Sequence, residues 1–363
     1  MEERYHRQII LKNFGEAAQQ KLLHAKVLVI GAGGLGCPAL QYLAGAGAGT
    51  IGIADNDAVS LSNLHRQILF SVQDIGKNKA FIAKEKLRQL NPEITIHAIA
   101  EKINTDNALR IIADYDYILD GTDNFSSRYL INDACVLLNK PLIYGAVSQY
   151  EGQVAVFNIA DKDGIKVNYR DIFQQKPKEG EILNCAEAGV LGVLPAIIGT
   201  IQATEIIKLI AEIGQPLINQ LLTYNILTQE IFTLDILKNP ASPQYLPKDE
   251  AAFKSMRYEY FCNTNIHEID IKEFETLLDK AAIVDVREYG EMPEITAFES
   301  VRIPLSELGN RMDEIKKDTV IFICRSGIRS KKAAEIFGQK NKDKQLFSLK
   351  GGVGTMRQFV TNH

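Results

Sequence analysis

Short apolar runs alternate with amphipathic segments over the first 150 residues of the chain. The apolar runs are V-L-V-I from Val27, T-I-G-I-A from Thr50, the alternating residues 94–99, the short run 117–119, and P-L-I-Y-G-A-V from Pro141. The segments between these runs carry apolar residues at helical spacing, and the one over 77–90 stops at Asn91-Pro92. Strands that alternate with helices predict an α/β fold with a Rossmann-like, doubly wound, mainly parallel sheet.

The pattern changes after residue 150 and then starts again. A strand over 152–158 leads into a polar segment over 162–184 that contains Pro and Gly, and then come an apolar helix over 189–213 and two strands around Thr228-Gln229. Prolines then mark a linker, and the last hundred residues form a second, smaller α/β pattern. The predicted domains are 1–238 and 263–363, joined by a linker over 239–262.

Composition supports globular domains and narrows the possible partners. The 363 residues are 46% hydrophobic and 24% charged with a net charge of −4, so neither nucleic acid nor an anionic membrane is an expected partner. The N-terminal segment has no apolar signal core, and the apolar run over 190–201 continues through Glu205 and Lys208, which predicts a buried helix rather than a membrane span. The five cysteines include no C-x-x-C pair, which argues against a thiolate zinc site. Their odd number, in a chain without a signal segment, fits a reducing cytoplasm.

The first strand runs into a glycine-rich turn, G-A-G-G-L-G from Gly31. Glycines let the backbone approach a phosphate, and the N-terminus of the following helix favours its negative charge. Asp55 ends the second strand, near the ~20-residue spacing of a ribose-binding acid. Ligands of such sheets lie at the carboxyl ends of the strands, where Asp55 and Asp123 both fall. We therefore expect one nucleotide pocket that includes both acids.

Polar side chains beyond the turn indicate the chemistry of the pocket. They are Asn63, Arg66, Gln67, Lys79 and the pair Asp123-Asn124. Nucleotidyl transfer needs cations around a triphosphate, for which Arg66 and Lys79 are candidates, and a carboxylate for Mg²⁺, for which Asp123 is a candidate. By residue type alone, the two cations could be solvated surface charges and Asp55 a turn residue. An NAD(P)-dependent oxidoreductase would use the same glycine turn but leaves the cations without a task.

Several motifs in a fixed order carry a family resemblance. They are R-Y-x-R-Q, G-A-G-G-L-G-C-P, D-N-D, S-N-L-x-R-Q, I-G-K-N-K, T-D-N-F and C-A-E-A-G-V-L-G. Over about residues 1–236 the chain resembles the MoeB/ThiF/HesA family, homodimeric enzymes similar to the adenylation core of ubiquitin-activating enzymes. The resemblance implies that ATP adenylates the C-terminal carboxylate of a small ubiquitin-like sulfur carrier that ends in Gly-Gly, with release of pyrophosphate.

The resemblance also implies roles for the matching residues. Gly34 lies in the phosphate turn, Asp55 holds the ribose, Asn63, Arg66 and Lys79 contact the phosphates, Asp123 positions Mg²⁺ beside Asn124, and Arg7 reaches the ATP of the other subunit. Cys185 matches a cysteine on the family's crossover loop, which some relatives use to bind the activated carrier covalently and others do not need. Cys37 and Cys135 fall in apolar patterns, and we interpret both as structural.

One segment departs from the family pattern. Relatives commonly hold zinc with two C-x-x-C pairs, the first in C-Y-R-C, whereas this chain has Asn168-Tyr169-Arg170-Asp171 and no later pair near the linker. Asparagine and aspartate replace zinc thiolates poorly. We therefore expect no zinc here, and local apolar packing in its place.

A cysteine between a strand and a helix organises the second domain. The loop that follows it is Cys324, Arg325, Ser326, Gly327, Ile328 and Arg329. Backbone N–H groups, the helix N-terminus and two arginines would hold an anionic sulfur there, while a buried structural cysteine is the alternative. With D-V-R-E, I-P-L-S-E-L and L-K-G-G, residues 265–363 resemble a rhodanese domain, although the family's tryptophan after Gly-Gly is missing. The resemblance implies that Cys324 accepts sulfur from a donor such as a cysteine desulfurase and carries it as a persulfide.

Together the two resemblances imply an adenylyltransferase joined to a sulfurtransferase. ATP activates the carrier's carboxylate, and the Cys324 persulfide delivers sulfur to give a thiocarboxylate. Such carriers serve molybdopterin synthesis, thiamine synthesis or tRNA thiolation, and the sequence does not choose among them. Besides the oxidoreductase, a non-catalytic scaffold that binds carrier and sulfur donor is the alternative, and it would show no dependence on Cys324.

Overall fold

A computed structural model describes residues 2–174, 189–258, 266–341, 343–356 and 360–361 of the chain. The chain forms two compact units, residues 1–258 and residues 259–363. Each unit has its own central β-sheet and its own apolar cores.

The first unit is built on one eight-stranded sheet. Its strands are β1 (Lys26–Ile30), β2 (Thr50–Ala54), β3 (Thr95–Ile99), β4 (Tyr117–Asp120), β5 (Leu142–Ser148), β6 (Glu151–Phe157), β7 (Gln220–Asn225) and β8 (Glu230–Asp235). The sheet order is β3-β2-β1-β4-β5-β6-β7-β8; β1 to β5 run parallel, and β6, β7 and β8 are antiparallel to their neighbours. The predicted mainly parallel, doubly wound sheet is confirmed. The strand order reverses at β1, where such sheets bind their ligands.

Helices cover both faces of this sheet. They are α1 (Glu2–Ile9), α2 (Gly15–His24), α3 (Gly36–Ala46), α4 (Lys79–Leu90), α5 (Ala108–Ala113), α6 (Phe125–Leu137), α7 (Tyr169–Ile172), α8 (Val193–Ala211) and α9 (Glu250–Ser255). Leu22, Leu40 and Ile206 from α2, α3 and α8 belong to one apolar core. Ile112 and Tyr129 from α5 and α6 belong to the other. With both faces closed, the carboxyl ends of the strands are the edge at which a ligand can bind.

Helix α8 is the long apolar helix of the first unit. It begins at Val193 rather than at the predicted Gly189, because Gly189 has a left-handed φ of 76° and Val190 forms a β-bridge with Gln149. By length and composition α8 is apolar enough to cross a membrane, but half of its apolar stretch is buried inside the protein. The Gln202 side chain donates to the carbonyl oxygen of Asp120, at the end of β4, at 2.8 Å and to that of Ile143, in β5, at 3.1 Å. These are the contacts of a core helix, as the sequence predicts.

The segment that the sequence predicts as a linker, 239–262, is folded onto the first unit over its described part. As far as Tyr258 it contains a short 3-10 turn and helix α9. The Ser242 hydroxyl donates to the Asp171 carboxylate at 2.6 Å, and the Tyr258 hydroxyl donates to Asp133 at 2.8 Å. The first unit therefore continues through residue 258, and these contacts hold the proline-containing segment against it.

Helix α7 and its N-cap Asn168 form the segment at which the sequence departs from the expected C-Y-R-C pattern. The Tyr169 ring lies 5.0 Å from the Tyr129 ring, in the apolar interior. The buried Asp171 carboxylate accepts from the Asn168 amide at 2.9 Å and pairs with Lys238 Nζ at 3.0 Å. The expected apolar packing accounts for Tyr169 but not for Asp171, because a buried carboxylate is stable only with such donors.

The second unit is a smaller sheet with strand order β12-β10-β13-β14-β9, in which all pairs are parallel. Its strands are β9 (His267–Ile269), β10 (Ala282–Asp285), β12 (Val301–Arg302), β13 (Thr319–Ile323) and β14 (Gln345–Leu349), and a separate antiparallel pair is β11 (Glu294–Ile295) with β15 (Val360–Thr361). Its helices are α10 (Ile271–Leu277), α11 (Leu308–Arg311) and α12 (Ile328–Lys340). The predicted second α/β unit is thereby confirmed.

Cys37 and Cys135 are buried in the first unit. The Cys37 thiol donates to the carbonyl oxygen of Ala32 at 3.3 Å. Burial raises the pKa of Cys37 to about 12 and raises the pKa of Cys135 well above its ordinary value. Thiols that resist ionisation are poor nucleophiles, which agrees with the structural interpretation of both residues.

Candidate active sites

Two close backbone approaches shape the glycine turn after β1. Gly31 has a left-handed φ of 95°, and a Cβ on it would lie 2.8 Å from the carbonyl oxygen of Gly121. A Cβ on Gly36 would lie 1.9 Å from the carbonyl oxygen of Gly31. Both positions therefore require glycine. The turn brings the N-terminus of α3, with its N–H groups, to the ligand edge of the sheet.

A cavity of about 770 Å³ opens at the carboxyl ends of β1, β2 and β4. Its lining includes Gly33, Gly34, Asp55, Asp57, His65, Arg66, Gln67, Lys79, Asp123, Asn124 and Arg128. The predicted convergence of Asp55 and Asp123 on one pocket is confirmed. Of the nucleotide residues that the resemblance implies, all except Asn63 line this cavity.

Backbone donors hold Asp55 in place. Its Oδ2 accepts from the Ala32 N–H of the glycine turn at 2.8 Å, and its Oδ1 accepts from the Asp57 N–H at 2.8 Å. Burial raises the pKa of Asp55, although the Lys79 ammonium and the two N–H groups oppose that rise. The carboxylate is thus fixed between the end of β2 and the glycine turn.

Lys79 begins α4 and is only 5% exposed. Its Nζ donates to Asp57 Oδ2 at 3.0 Å, and its backbone N–H donates to the Asp57 carbonyl oxygen at 2.9 Å. The Asn78 amide also donates to the carbonyl oxygens of Asp55 and Asp57. Both the backbone and the side chain of Lys79 are therefore held in position at the cavity. Its ion-pair partner is Asp57, to which the motifs assigned no role.

Two arginines line the cavity. Arg66 donates through Nη1 to His65 Nε2 at 2.6 Å. Arg128, in the first turn of α6, is 6% exposed, and its guanidinium lies over the rings of Phe125 and Tyr144 at 5.5 and 5.7 Å. The sequence analysis did not identify Arg128. The available signal was its spacing: it lies one helical turn after T-D-N, the segment that follows β4 and lines the cavity.

The S-N-L-H-R-Q segment places Gln67 rather than Asn63 in the cavity. Asn63 ends a 3-10 turn, and its Oδ1 accepts from the Ser60 N–H at 3.2 Å as a cap. Gln67 is 4% exposed and lies beside Gly33 of the phosphate turn. The structure therefore does not bring Asn63 to the other predicted phosphate contacts, because its amide oxygen caps the turn.

Asp123 and Asn124 follow β4 at the same edge. Asp123 is exposed at the cavity. Asn124 is the N-cap of α6, and its Oδ1 accepts from the Ser127 N–H at 2.9 Å. The cap fixes where α6 begins and thereby holds the short loop that carries Asp123.

Of the two remaining predicted catalytic residues of the first unit, Arg7 and Cys185, the structure describes Arg7. Arg7 is exposed in the last turn of α1 and is not among the described residues that line it. Helix α1 is anchored by the buried Tyr5, whose hydroxyl accepts from the Asn91 amide at 2.8 Å. Cys185 lies outside the described residues.

In the second unit, Cys324 follows β13 and is fully buried. The Gly327 N–H donates to its Sγ at 3.1 Å, and the Ser330 hydroxyl oxygen lies 3.5 Å from Sγ. Gly327 has a left-handed φ of 91° and directly precedes α12. The loop therefore presents a backbone N–H and a helix N-terminus to the sulfur, in the way the sequence predicts.

Among the other loop residues, Arg329 is held by an ion pair, whereas three residues are exposed. Arg329 forms a two-pronged ion pair with Glu291 at 2.6 and 2.8 Å, and this pair lowers the pKa of Glu291 to about 2. The exposed residues are Arg325, Ser326 and Ile328. Met356, which lies near the position of the missing tryptophan, is fully buried.

Comparison with known proteins assigns both units. The ThiF family matches residues 5–245, and the rhodanese-like domain matches residues 270–355. The chain belongs to the ThiF family. Its two matches and its relatives make it an enzyme of the adenylyltransferase and sulfurtransferase class, so the family resemblance and the enzyme class predicted from the motifs are confirmed. As a ThiF-family adenylyltransferase it uses ATP.

Three curated relatives show how far the similarity extends. The sulfur carrier protein adenylyltransferase of Thermus thermophilus is 45% identical over 72% of this chain and 96% of its own length. The probable adenylyltransferase/sulfurtransferase MoeZ of Mycobacterium tuberculosis is 39% identical over 96% of this chain and 91% of its own. The adenylyltransferase and sulfurtransferase MOCS3 of Arabidopsis thaliana is 35% identical over 99% and 83%.

Solved structures agree on the fold of the first unit. E. coli MccB with MccA-N7isoASN aligns with a TM-score of 0.55 at 27% identity, over 62% of this chain and 68% of MccB. E. coli MccB with ATP aligns with a TM-score of 0.52 at 26% identity, over 62% and 67%. Both are similar to this chain over a share close to that of its ThiF match.

Proposed function

We propose that the chain adenylates the C-terminal carboxylate of a ubiquitin-like sulfur carrier ending in Gly-Gly and then converts it to a thiocarboxylate. The proposal rests on one observation, a single cavity at which the glycine turn, Asp55, Arg66, Lys79 and Asp123 meet. A sulfur-binding loop around Cys324 in the same chain supplies the second step. Relatives named for sulfur carrier adenylation and for both transferase activities support the substrate.

In the first step, a carboxylate oxygen of the carrier attacks the α-phosphorus of ATP. The new bond gives an acyl-adenylate as the bond to pyrophosphate breaks. The turn that includes Gly34 cradles the phosphates, Asp55 accepts from the ribose, and Arg66 and Lys79 stabilise the charge that develops on the phosphates. Lys79 acts from a nearly buried position, where its charge is poorly screened by water.

Asp123 is the proposed ligand of Mg²⁺. Its carboxylate is exposed at the cavity, and Mg²⁺ commonly binds one or two carboxylates together with substrate phosphates and water. Among the described residues, no group of three or more His, Cys, Asp or Glu side chains could hold a metal by itself, which fits this mode. When bound, Mg²⁺ neutralises charge on the phosphates. We propose no zinc at α7, since Lys238 and Ser242 already satisfy Asp171.

In the second step, the terminal sulfur of a Cys324 persulfide attacks the acyl carbon and displaces AMP. The product is an acyl disulfide between the carrier and Cys324. A thiolate then attacks the Cys324 sulfur of this S–S bond; the carrier thiocarboxylate leaves, and the attacking thiol stays in a disulfide with Cys324 until a second thiol reduces it. Cys185 is the candidate for the attacking thiol in this chain. The persulfide itself comes from a donor enzyme such as a cysteine desulfurase, in the cytoplasm.

The proposed assembly is a homodimer in which Arg7 reaches the ATP of the partner subunit. Its support is that Arg7 is exposed in α1 while its own cavity is lined by other residues. Two large apolar side chains directly after α1, Ile10 and Leu11, are 62% and 57% exposed. An exposed apolar surface beside a displaced catalytic arginine is what a subunit interface would use.

The test is the intact mass of candidate Gly-Gly carriers after incubation with the protein, Mg-ATP and a persulfide donor. We expect one sulfur in place of one oxygen at the carrier's C-terminus. Cys324→Ser is the control variant: it should keep carrier-dependent exchange of pyrophosphate into ATP but form no thiocarboxylate. Binding of a nicotinamide nucleotide without any pyrophosphate exchange would contradict the proposal, and so would thiocarboxylate formation by Cys324→Ser.

A further inference from the structure

Gln67 presents a buried amide at the phosphate turn that no described residue uses. The residue is 4% exposed, and its Oε1 is screened from solvent without a hydrogen-bond partner among the described residues. Its Nε2 lies 3.7 Å from the position that a Cβ on Gly33 would take. A buried carbonyl oxygen without a donor destabilises the folded chain, so such a group calls for an explanation.

The backbone around Gln67 does not supply that explanation. Its N–H donates to the Asn63 carbonyl oxygen and its own carbonyl accepts from the Phe70 N–H, both at 3.0 Å, so the position is fixed by a short turn. Gln202 differs in its NH₂ group: its Oε1 is likewise buried without a partner, but its Nε2 donates to two strand carbonyl oxygens and so ties α8 to the sheet. The Gln67 amide has no such structural contact, yet it lines the cavity.

An amide can serve two reactants at once, since it carries both a donor and an acceptor. Beside the phosphate turn, its NH₂ group fits a phosphate oxygen. Its carbonyl oxygen needs an N–H, and the reactant that brings one to the α-phosphate is the carrier, through the peptide N–H of its last glycine. The final side-chain torsion of glutamine is broad, so the carbonyl can turn toward the cavity at low cost.

We propose that Gln67 contacts both substrates of the adenylation step. Its carbonyl oxygen accepts from the N–H of the carrier's terminal glycine, and its NH₂ group donates to the α-phosphate. The residue thereby aligns the attacking carboxylate with phosphorus. The lysines and arginines of the cavity are unsuited to this task, because their side chains have no acceptor. This inference rests on the proposed function and names a residue to which the family motif assigned no role.

The test compares Gln67→Met, which keeps the length of the side chain but not its hydrogen bonds, with the wild type in carrier-dependent pyrophosphate exchange. We expect kcat/KM for the carrier to fall about 10²-fold, the scale of a lost transition-state contact. ATP affinity measured without carrier should change by no more than about tenfold, as for one neutral hydrogen bond. Gln73→Met, at an exposed glutamine, is the matched control, and retained ATP binding without carrier reports that the first unit of the variant is folded.

A carrier whose last glycine is N-methylated tests the contact from the other side. The methyl group should slow the wild type about as much as Gln67→Met does, and it should cost Gln67→Met little more. The inference is overturned if Gln67→Met exchanges within about threefold of the wild type, or if N-methylation costs both proteins equally. If Gln67→Met does not fold, an N-methylated carrier that reacts at the normal rate with the wild type overturns it as well. Absence of exchange in the wild type would instead contradict the proposed function.

Discussion

The ion pair between Arg329 and Glu291 determines what the cysteine loop of the second unit can offer to a bound sulfur. Both side chains are about one-quarter exposed, and the carboxylate meets two guanidinium nitrogens. The pair keeps Arg329 beside the loop while Arg325 lies on its surface. Arg329 is therefore a cation whose side chain is fixed near Cys324 as long as Glu291 is ionised.

The stability contribution of this pair should depend on pH in a defined direction. The pKa of Glu291 is lowered from 4.5 to about 2, chiefly by Arg329. A lowered carboxyl pKa stabilises the fold above the ordinary pKa, and the stabilisation is lost as pH falls toward 2. Glu291→Gln should therefore lower the melting temperature of the second unit at neutral pH, by the equivalent of at most about 1 kcal/mol, with no difference near pH 2.

Scanning calorimetry between pH 2 and pH 7 measures the effect. Glu299→Gln, at an exposed glutamate of the same unit, is the control and should show no such pH-dependent difference. A melting difference that is the same at pH 2 and pH 7 would contradict the assignment of the stabilising charge to Glu291.

Among the single residues, the sequence predicted most reliably those that lie directly after a strand. Asp55 and Asp123 meet in the cavity because parallel strands deliver their carboxyl ends to one edge, which the hydrophobic pattern alone implies. Asn63 and Gln67 were harder to assign. Which of two amides faces the cavity depends on the rotation of a short 3-10 turn, and that rotation follows from a cap formed by Asn63 itself.

The segment 239–258 is held to the first unit by two buried carboxylates rather than by apolar packing alone. Arg170 of α7 binds both oxygens of Asp133 at 2.7 Å, and the Tyr258 hydroxyl donates to the same carboxylate at 2.8 Å. Burial and the Asp133 charge raise the pKa of Tyr258, so its hydroxyl stays protonated as a donor. One network thus joins α6, α7 and the end of the unit.

Removing this hydroxyl should loosen the end of the first unit without unfolding it. Tyr258→Phe deletes a hydrogen bond to a buried charge, worth about 1.5–3 kcal/mol. We expect amide hydrogen exchange over residues 250–258 to accelerate roughly 10- to 100-fold, while the central strands exchange as in the wild type. Tyr42→Phe, at a tyrosine that is 58% exposed, is the matched control. Unchanged exchange over 250–258 would show that the network does not anchor the segment.

This anchored segment also shows which elements the sequence could not predict. Its three prolines are typical of a linker, whereas long-range contacts, the hydrogen bonds to Asp171 and Asp133 and the burial of Phe253, show that it is packed. The start of α8 was misplaced for a similar reason, since the bridge between Val190 and Gln149 joins residues far apart in the chain. Strands and long helices with strong periodicity were predicted closely because their signals are local.

At the scale of the proposed homodimer, Arg7 is expected to act at the cavity of the partner subunit. Among the described residues, two arginines and two lysines of the same chain line the cavity, yet the arginine of the family's N-terminal motif does not. Because Arg7 does not line the cavity of its own chain, we expect it to act on the ATP of a second subunit. Arg7→Ala should then keep the dimer and ATP binding but lose pyrophosphate exchange, by about 10³-fold or more if it stabilises transferred phosphate as arginines do in trans.

A mixing experiment separates action within a subunit from action between subunits. Arg7→Ala and Asp123→Ala homodimers should each be inactive, because every site lacks one residue. In a mixed dimer, the site with intact Asp123 would receive Arg7 from the other subunit, so one of its two sites is restored. Random exchange of equal amounts should therefore recover about one quarter of the wild-type activity. No recovery in a mixture shown by native mass spectrometry to contain mixed dimers would mean that Arg7 serves its own subunit or has no catalytic role.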